Sequence, residues 1–268
     1  MAFLPLPQPF DLELTTERFR AFGADRTNVW LDGALHHVVG TRAVRIAAAS
    51  GGVDVEPLDD ETAAAVQRLL GLPFDLDGFY AWAAGDEVLA SIAPRFAGFR
   101  PVLSLDPFEA LVGAIVAQQV SLFSATAIRN RFVERFGRQV GAAWSFPSRD
   151  RIASATKDEL LALGFSRAKA DYVTGLARAE LDLDELAALP DGEVKARLTA
   201  QRGIGEWTAD WFLARHLARP NAWPWGDLAL RKAVATFYGD VDVREAGARF
   251  HPFQNLTAHY LLIASRVP

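Results

Sequence analysis

The sequence of 268 residues predicts an α+β fold, in which a small N-terminal unit with an antiparallel sheet precedes a larger, all-helical region. The sheet is predicted by short runs rich in apolar residues and by the turn dipeptides Asp32-Gly33 and Gly51-Gly52 between them. The helices are predicted by capping residues that precede apolar residues at helical spacing from Asp106 onward. We therefore expect two domains, over residues 1–100 and 101–268.

The elements of the first part follow from local signals. Strands are predicted at residues 28–31, 35–39, 43–49 and 53–55. Asp59 or Asp60 can cap a helix that continues to Leu70, where Gly71 and Pro73 end it. Together these elements form a small α+β unit.

Capping signals recur in the second part. Asp106 and Glu109 supply the N-cap and N3 positions of one helix, Thr156 and Glu159 form a capping box, and Ser166 opens a third helix. Further helices are predicted at residues 182–189, 191–201, 206–219, 227–238, 242–249 and 255–265.

Composition excludes several classes of protein. The chain has no cysteine, which rules out disulfides, thiolate zinc sites and cysteine-ligated iron–sulfur clusters. Its five histidines show no metal-ligand spacing, so we predict no metal site. No apolar run reaches the roughly 18 residues of a membrane span, and the N-terminus lacks the features of a signal peptide. We therefore expect a cytoplasmic protein that does not bind membranes.

The charge is unevenly distributed. Residues 1–100 contain 8 basic and 14 acidic residues, whereas residues 101–268 contain 20 and 19, within a net charge of −5. Basic side chains of the second part form either a local basic surface or an ordinary solvated face: Arg129, Arg131, Arg135 and Arg138, with Arg167 and Lys169. If the partner is a nucleic acid, a near-neutral domain predicts weak binding through few phosphate contacts.

Gly203-Ile204-Gly205 is a candidate phosphate-binding hairpin. Glycine adopts positive φ without steric cost, so Gly-x-Gly permits a tight reversal between two helices. The unpaired N–H groups of the helix that follows favour an anion. An ordinary helix corner would show the same pattern.

Asp227 is the candidate catalytic residue. It lies 22 residues beyond Gly205 and directly before the apolar segment that begins at Leu228. A fixed carboxylate can stabilise the positive charge that develops on a sugar when its N-glycosidic bond breaks, and can orient or deprotonate water. The same position also suits a simple N-cap, and the two roles are compatible.

Three separated segments resemble the helix-hairpin-helix DNA glycosylases, and most closely their 3-methyladenine DNA glycosylase II branch. They are Gly203-Ile204-Gly205 with Trp207-Thr208-Ala209, Asp227, and the upstream Ala117-Gln118-Gln119-Val120-Ser121, in the order of the family. The resemblance covers most of residues 100–268 and implies base excision repair of alkylated bases. Trp207 stands where bifunctional members have their lysine, which implies a monofunctional enzyme without lyase activity.

The resemblance also implies the residues that bind the base. Trp211 is expected to stack on the flipped base, where an electron-rich indole attracts a cationic methylated base, with Trp207 on the same helix face. Gln118 and Phe250 are expected to border the pocket. For the tryptophans, packing in the core is the alternative.

The expected DNA contacts lie at the wedge and the hairpin. The resemblance places Gln119 in the minor groove, where it fills the hole left by the flipped base. At the hairpin it implies contacts from Arg202, Gly203, Ile204, Gly205 and Thr208, and a monovalent cation between hairpin carbonyls and a DNA phosphate. No other cofactor is implied.

The implied partner is double-stranded DNA that contains damaged bases, bound by a monomer in a bacterial-type nucleoid. Two alternatives stay open from sequence. One is a non-catalytic DNA-binding or lesion-sensing protein, which should tolerate loss of Asp227. The other is a glycosylase for deaminated or oxidised bases, which excision from defined single-lesion duplexes would identify.

Overall fold

The computed structural model describes residues 2–267 and begins with a five-stranded antiparallel sheet. Its strands are β1 (Ala2–Pro5), β2 (Asn28–Leu31), β3 (Ala34–Val39), β4 (Arg42–Ala49) and β5 (Gly52–Glu56). Their spatial order is β1-β5-β4-β3-β2. Asp32 and Gly33, both at positive φ, form the β2–β3 turn, so the turn dipeptide predicted from sequence is confirmed.

Helices make up most of the rest of the chain. They are α1 (Leu12–Thr15), α2 (Arg18–Ala21), α3 (Asp60–Leu69), α4 (Leu76–Ala83), α5 (Glu87–Ile92), α6 (Pro107–Ala117), α7 (Leu122–Phe136), α8 (Arg149–Ala153), α9 (Lys157–Ala162), α10 (Arg167–Arg178), α11 (Asp191–Thr199), α12 (Glu206–Arg215), α13 (Leu228–Tyr238), α14 (Val243–Arg249) and α15 (Gln254–Ala264). Short 3₁₀ turns cover Ala93–Phe96 and Glu185–Ala188.

Capping side chains fix the helix starts. Asp59 and Thr62 form a capping box at α3, Asp106 accepts the backbone N–H of Glu109 at α6, and Ser166 caps α10. The capping box of Thr156 and Glu159 at α9 is also present. These are the positions predicted from sequence, because a cap depends only on residues three apart.

One expectation is wrong: the second part of the chain is not all-helical. Two strands, β6 (Arg138–Val140) and β7 (Ala143–Ser145), form a small hairpin between α7 and α8. Strands of three residues are too short to show an alternating pattern in the sequence. The hairpin extends the contact between the two parts of the chain, since the Trp144 N–H donates to the Arg26 carbonyl at 2.8 Å.

The described residues form two hydrophobic cores. The first core lies between the sheet and α3, and the last of its buried residues in the sequence is Leu70. The buried residues of the second core start at Phe74, and they come from α4–α7 and the later helices. The helices α4 and α5 therefore pack with the helical core, although they precede residue 100. The division into domains at that residue stays a prediction. Among residues 2–267, no helix has both the length and the apolar character needed to cross a bilayer.

A buried ionic cluster joins the two cores. The Arg129 guanidinium on α7 donates to Asp25 at 2.8 Å and to the Thr27 hydroxyl at 2.7 Å, both just before β2, and it also pairs with Glu109 on α6. The three charged side chains are only 14–16% exposed. The cluster thus fixes the N-terminal unit against the helices that precede and follow the segment Gln118–Ser121.

Candidate active site

Asp227 is the N-cap of α13. Its Oδ1 accepts the backbone N–H groups of Ala229 at 2.9 Å and Leu230 at 3.0 Å. The cap holds the carboxyl group at the start of the helix, where the helix dipole favours negative charge. The N-cap role predicted for Asp227 is therefore confirmed. The cap uses Oδ1, so Oδ2 is available to other donors.

Two indoles hold the second carboxyl oxygen. The Nε1–H groups of Trp207 and Trp211 donate to Asp227 Oδ2 at 2.9 and 3.0 Å. Both indoles can reach the same atom because a spacing of four residues places them on one face of α12. The structure thus joins three of the residues selected from sequence into one group.

The environment of Asp227 favours the ionised form. Burial alone would raise the pKa of this carboxyl group. The Leu230 N–H, the Trp207 indole, the charge of Arg215 and the Trp211 indole together outweigh burial and lower the pKa below its usual value. Asp227 is therefore an anion at neutral pH, half-buried beside α12.

The two tryptophans differ in the surface they offer to a base. Trp211 is 5% exposed and the Arg215 guanidinium lies over its ring, 3.5 Å from the ring centroid. Trp207 is only partly buried. A base can therefore reach Trp207 more readily than Trp211, the reverse of the weighting expected from sequence. Stacking on Trp211 stays a prediction, and the ring face beneath Arg215 is not free for it.

The hairpin has the geometry expected of a phosphate-binding turn. Gly203 has φ +88° and packs against the Tyr172 ring, which a Cβ at this position would overlap. Gly205 is the N-cap of α12, and no side chain of residues 2–267 accepts the first N–H groups of this helix. These donors are free to bind an anion. Ile204 is buried and anchors the turn, whereas Arg202 is exposed beside it.

Two hairpin carbonyls fit a monovalent cation. Within the described chain, the Gln201 carbonyl accepts the Ile204 N–H and the Gly205 carbonyl accepts the Ala209 N–H. The carbonyls of Arg202 and Ile204 accept no hydrogen bond from residues 2–267. Hard cations prefer such carbonyl oxygens, so the chemistry of the turn agrees with the cation implied by the resemblance.

Gln118 ties the end of α6 to the hairpin. Its Nε2 donates to the Gly203 carbonyl at 2.9 Å and to the Thr208 hydroxyl at 3.2 Å. Thr208 is 1% exposed, so the DNA contact expected of this residue cannot come from its side chain. The contacts of Gln118 are with protein, and its predicted contact with the base stays a prediction.

Gln119 has a strained backbone at the surface. Its φ is +55°, a region that costs a non-glycine residue roughly 1 kcal/mol or more. Its side chain is exposed, as are Val120 and Phe123 in the same segment. Strain held at an exposed turn next to the hairpin supports the predicted wedge.

Gln119→Gly is expected to separate function from stability. The rate of base release should fall by about tenfold, because no side chain then fills the hole left by the flipped base. The free energy of unfolding should not decrease, because glycine adopts positive φ freely. Single-turnover release and thermal unfolding measure the two quantities. Unchanged release would remove Gln119 as the wedge.

Phe250 is not part of the Asp227 group. It is 1% exposed and its ring packs against Trp223 and Tyr238, with both centroid distances 5.3 Å. Trp223 donates its indole N–H to the Val243 carbonyl at 2.7 Å, which binds it to α14. A direct contact of Phe250 with substrate stays a prediction.

Two of the six basic residues considered from sequence, Arg129 and Lys169, do not belong to a solvent-exposed basic surface. Arg129 is occupied by the buried cluster, and Lys169 donates its Nζ to the Val116 carbonyl at 2.8 Å in a buried position. Burial lowers the pKa of Lys169, and the hydrogen bond closes the C-terminal end of α6 just before the wedge. Lys169 therefore binds the C-terminal end of α6 rather than contacting solvent. Within the described residues, no cluster of histidines and carboxylates could hold a metal ion.

Sequence reasoning missed the residues that line a narrow cavity next to Trp211. They include three arginines, Arg18, Arg215 and Arg266, with Glu17 and His259. The His259 ring lies 5.6 Å from the Trp211 ring, and its Nε2 accepts a hydrogen bond from Arg215 Nε at 3.4 Å. Arg215 follows Trp211 by four residues, and this helical spacing alone places the two side chains on one face of α12. No pattern in the sequence around Arg18 connects that residue with this site.

Comparison with known proteins agrees with this geometry. A family profile described as "HhH-GPD superfamily base excision DNA repair protein" matches residues 112–257. The DNA-3-methyladenine glycosylase of Bacillus subtilis is 33% identical over 177 residues, 63% of this chain and 58% of that protein. DNA-3-methyladenine glycosylase 2 of Escherichia coli is 31% identical over 170 residues, 60% of this chain and 57% of that protein. This chain thus spans somewhat more than half the length of these relatives.

A solved structure matches over the whole length. The 3-methyladenine DNA-glycosylase from Archaeoglobus fulgidus superposes with a TM-score of 0.89 and 30% sequence identity, covering 100% of this chain and 99% of the other. The matched profile spans more than half of the chain and includes the wedge, the hairpin and Asp227. The chain belongs to the HhH-GPD superfamily of base excision DNA repair proteins.

Proposed function

We propose that this protein is a monofunctional DNA glycosylase that releases alkylated bases, of the 3-methyladenine kind, from duplex DNA by hydrolysis of the N-glycosidic bond. The observation that carries the proposal is the ionised Asp227, held by two indoles and a helix N-terminus beside an uncapped hairpin helix. The names of the relatives agree with this substrate class.

The hydrogen bonds of Asp227 favour an electrostatic role. A carboxylate has about four lone-pair sites, and this one already accepts four N–H groups, two on each oxygen. An oxygen with both sites occupied is a poor base for water, but its negative charge still stabilises an oxocarbenium ion. We therefore assign Asp227 to charge stabilisation, with water attacking the sugar cation after the base has begun to leave.

The hairpin and the wedge hold the DNA in this mechanism. The free N–H groups at the start of α12 bind a phosphate. The Arg202 and Ile204 carbonyls would hold a monovalent cation, whose charge would attract the same phosphate. Gln119 fills the duplex where the base was. The protein acts as a monomer on the DNA of a bacterial-type nucleoid and needs no organic cofactor.

The absence of lyase activity is part of the proposal. A lyase needs a lysine nucleophile at the sugar, and Trp207 occupies the position that would supply it. Three of the lysines bind other groups of the protein. Lys157 forms an ion pair with Asp171, Lys195 forms one with Asp210, and Lys169 donates to the Val116 carbonyl. Lys232 lies on the following helix, α13.

The test is incubation of the purified protein with a methylated duplex, read with and without alkali and with borohydride. We expect free methylated base, strand breaks only after alkali, and no protein–DNA adduct with borohydride. Breaks without alkali, or an adduct, would show a lyase. Binding without any release would show a non-catalytic protein.

A further inference from the structure

The cavity next to Trp211 carries net positive charge. Three guanidiniums line it, and the single carboxylate among its lining residues, Glu17, is already paired with Arg266 at 2.9 Å. Burial, with the charge of Arg215, lowers the pKa of His259 far below its usual value, so its imidazole adds no charge. The cavity is thus a site of hydrogen-bond donors.

The cavity adjoins the catalytic carboxylate. Arg215 lies over Trp211, whose indole binds Asp227, and the Asp227 charge acts on both Arg215 and Arg18. Arg18 and Arg215 are therefore close enough to Asp227 to act on a base whose sugar lies beside that carboxylate. The Trp211 face that could attract a cationic base is already covered by the cationic Arg215.

Arg18 is the arginine best placed to act on a ligand. Arg266 is held by Glu17 and Arg215 by the Trp211 ring, whereas Arg18 makes neither an ion pair nor a hydrogen bond with the described residues. Its guanidinium carbon lies 5.8 Å from the centroid of the Phe22 ring. Burial lowers the pKa of Arg18 to about 10, so it is still charged at neutral pH. An unpaired, half-buried guanidinium at a cavity wall lacks an acceptor.

Resting on the proposed function, we propose that Arg18 is a specificity-determining residue that extends the substrate range to uncharged lesion bases with acceptor atoms on the edge that enters the cavity. A neutral purine with a carbonyl oxygen and a ring nitrogen supplies those acceptors. A guanidinium donates to such a pair in a bidentate manner.

The chemistry explains why an uncharged base needs this residue. When the C1′–N9 bond breaks, its electron pair stays on the base, and water oxygen later bonds to C1′ and releases its proton to solvent. A cationic methylated purine leaves as a neutral molecule, but an uncharged purine leaves as an anion that afterwards takes up a proton. A guanidinium at the base edge stabilises that developing anion, just as Asp227 stabilises the sugar cation.

The test compares two lesions in the same preparations. Wild type, Arg18→Met and Arg18→Lys are assayed by single-turnover release from one duplex with hypoxanthine, which is uncharged, and another with 7-methylguanine, which is cationic. For Arg18→Met we expect hypoxanthine release to fall about tenfold or more, and 7-methylguanine release to stay the same or rise. Arg18→Lys should restore part of the hypoxanthine rate.

Arg20→Met is the matched control. Arg20 lies on the same helix, but its guanidinium covers the Trp30 ring at 4.1 Å and bonds to the Glu13 carbonyl. It should change neither rate. An equal fall in both rates for Arg18→Met would reduce Arg18 to a structural residue, and wild type that releases 7-methylguanine but not hypoxanthine would also overturn the inference. Release of neither lesion by wild type would instead refute the proposed function.

Discussion

Asp227→Asn is expected to lower the single-turnover rate of release of a methylated base by about a thousandfold. At about 4 Å and an effective dielectric near 20, a carboxylate attracts a sugar cation by roughly 4 kcal/mol, and this attraction disappears with the charge. Asparagine is a good N-cap, so α13 should still form. The variant should also still bind duplex DNA through the hairpin.

Stability must be measured beside activity. The amide nitrogen of asparagine would face either two indole N–H groups or two backbone N–H groups, which should lower the free energy of unfolding by about 1–3 kcal/mol. The assay is therefore run at a temperature where thermal unfolding shows the variant to be folded. Unchanged release by the folded variant would remove Asp227 as the main catalyst.

Asp242→Asn is the matched control for this change. Asp242 caps α14 through the Glu245 N–H at 3.0 Å and, within the described part of the chain, accepts no indole N–H. It offers the same substitution at the same kind of position, without a place in the proposed site. Its rate of release should be within about twofold of wild type, since a cap alone does not act on the reacting sugar. A large fall here would show that the loss in Asp227→Asn comes from helix capping.

The sequence predicts best what depends on neighbouring residues. The caps at Asp106, Thr156 and Ser166 and the strands from β2 to β5 are where local patterns place them. The same holds for the face shared by Trp207 and Trp211, since helical spacing alone determines it. That both indoles bind one oxygen of Asp227 could not be predicted, because it requires the orientation of α12 against α13.

Contacts between segments that are far apart in the sequence were not predicted. Arg18 belongs to the N-terminal unit, for which the sequence shows no catalytic pattern, yet it lines a cavity beside residues of α12 and α15. Arg129 was counted among surface charges, because its burial depends on Asp25 and Glu109 meeting it from other elements. Pairings of this kind depend on how the two cores meet, which periodicity does not reveal.

Arg129→Met is expected to lower the free energy of unfolding by about 3–5 kcal/mol, the usual cost of removing one partner from a buried ion pair. The substitution leaves Asp25 and Glu109 close together without a cation, and burial already raises the pKa of Glu109 even in the presence of Arg129. Denaturant unfolding of the variant and wild type at neutral pH measures the difference.

The pH dependence identifies the cause of this loss. Without Arg129, mutual repulsion should raise the folded-state pKa values of Asp25 and Glu109 above their unfolded values, so protonation should favour the folded variant. The deficit should therefore grow as pH rises from 5 to 8. Arg26→Met provides the control, because its pair with Glu134 is 49% and 37% exposed and should contribute less than about 1 kcal/mol. A deficit equal for both variants, or constant with pH, would mean that lost packing rather than uncompensated charge destabilises the Arg129 variant.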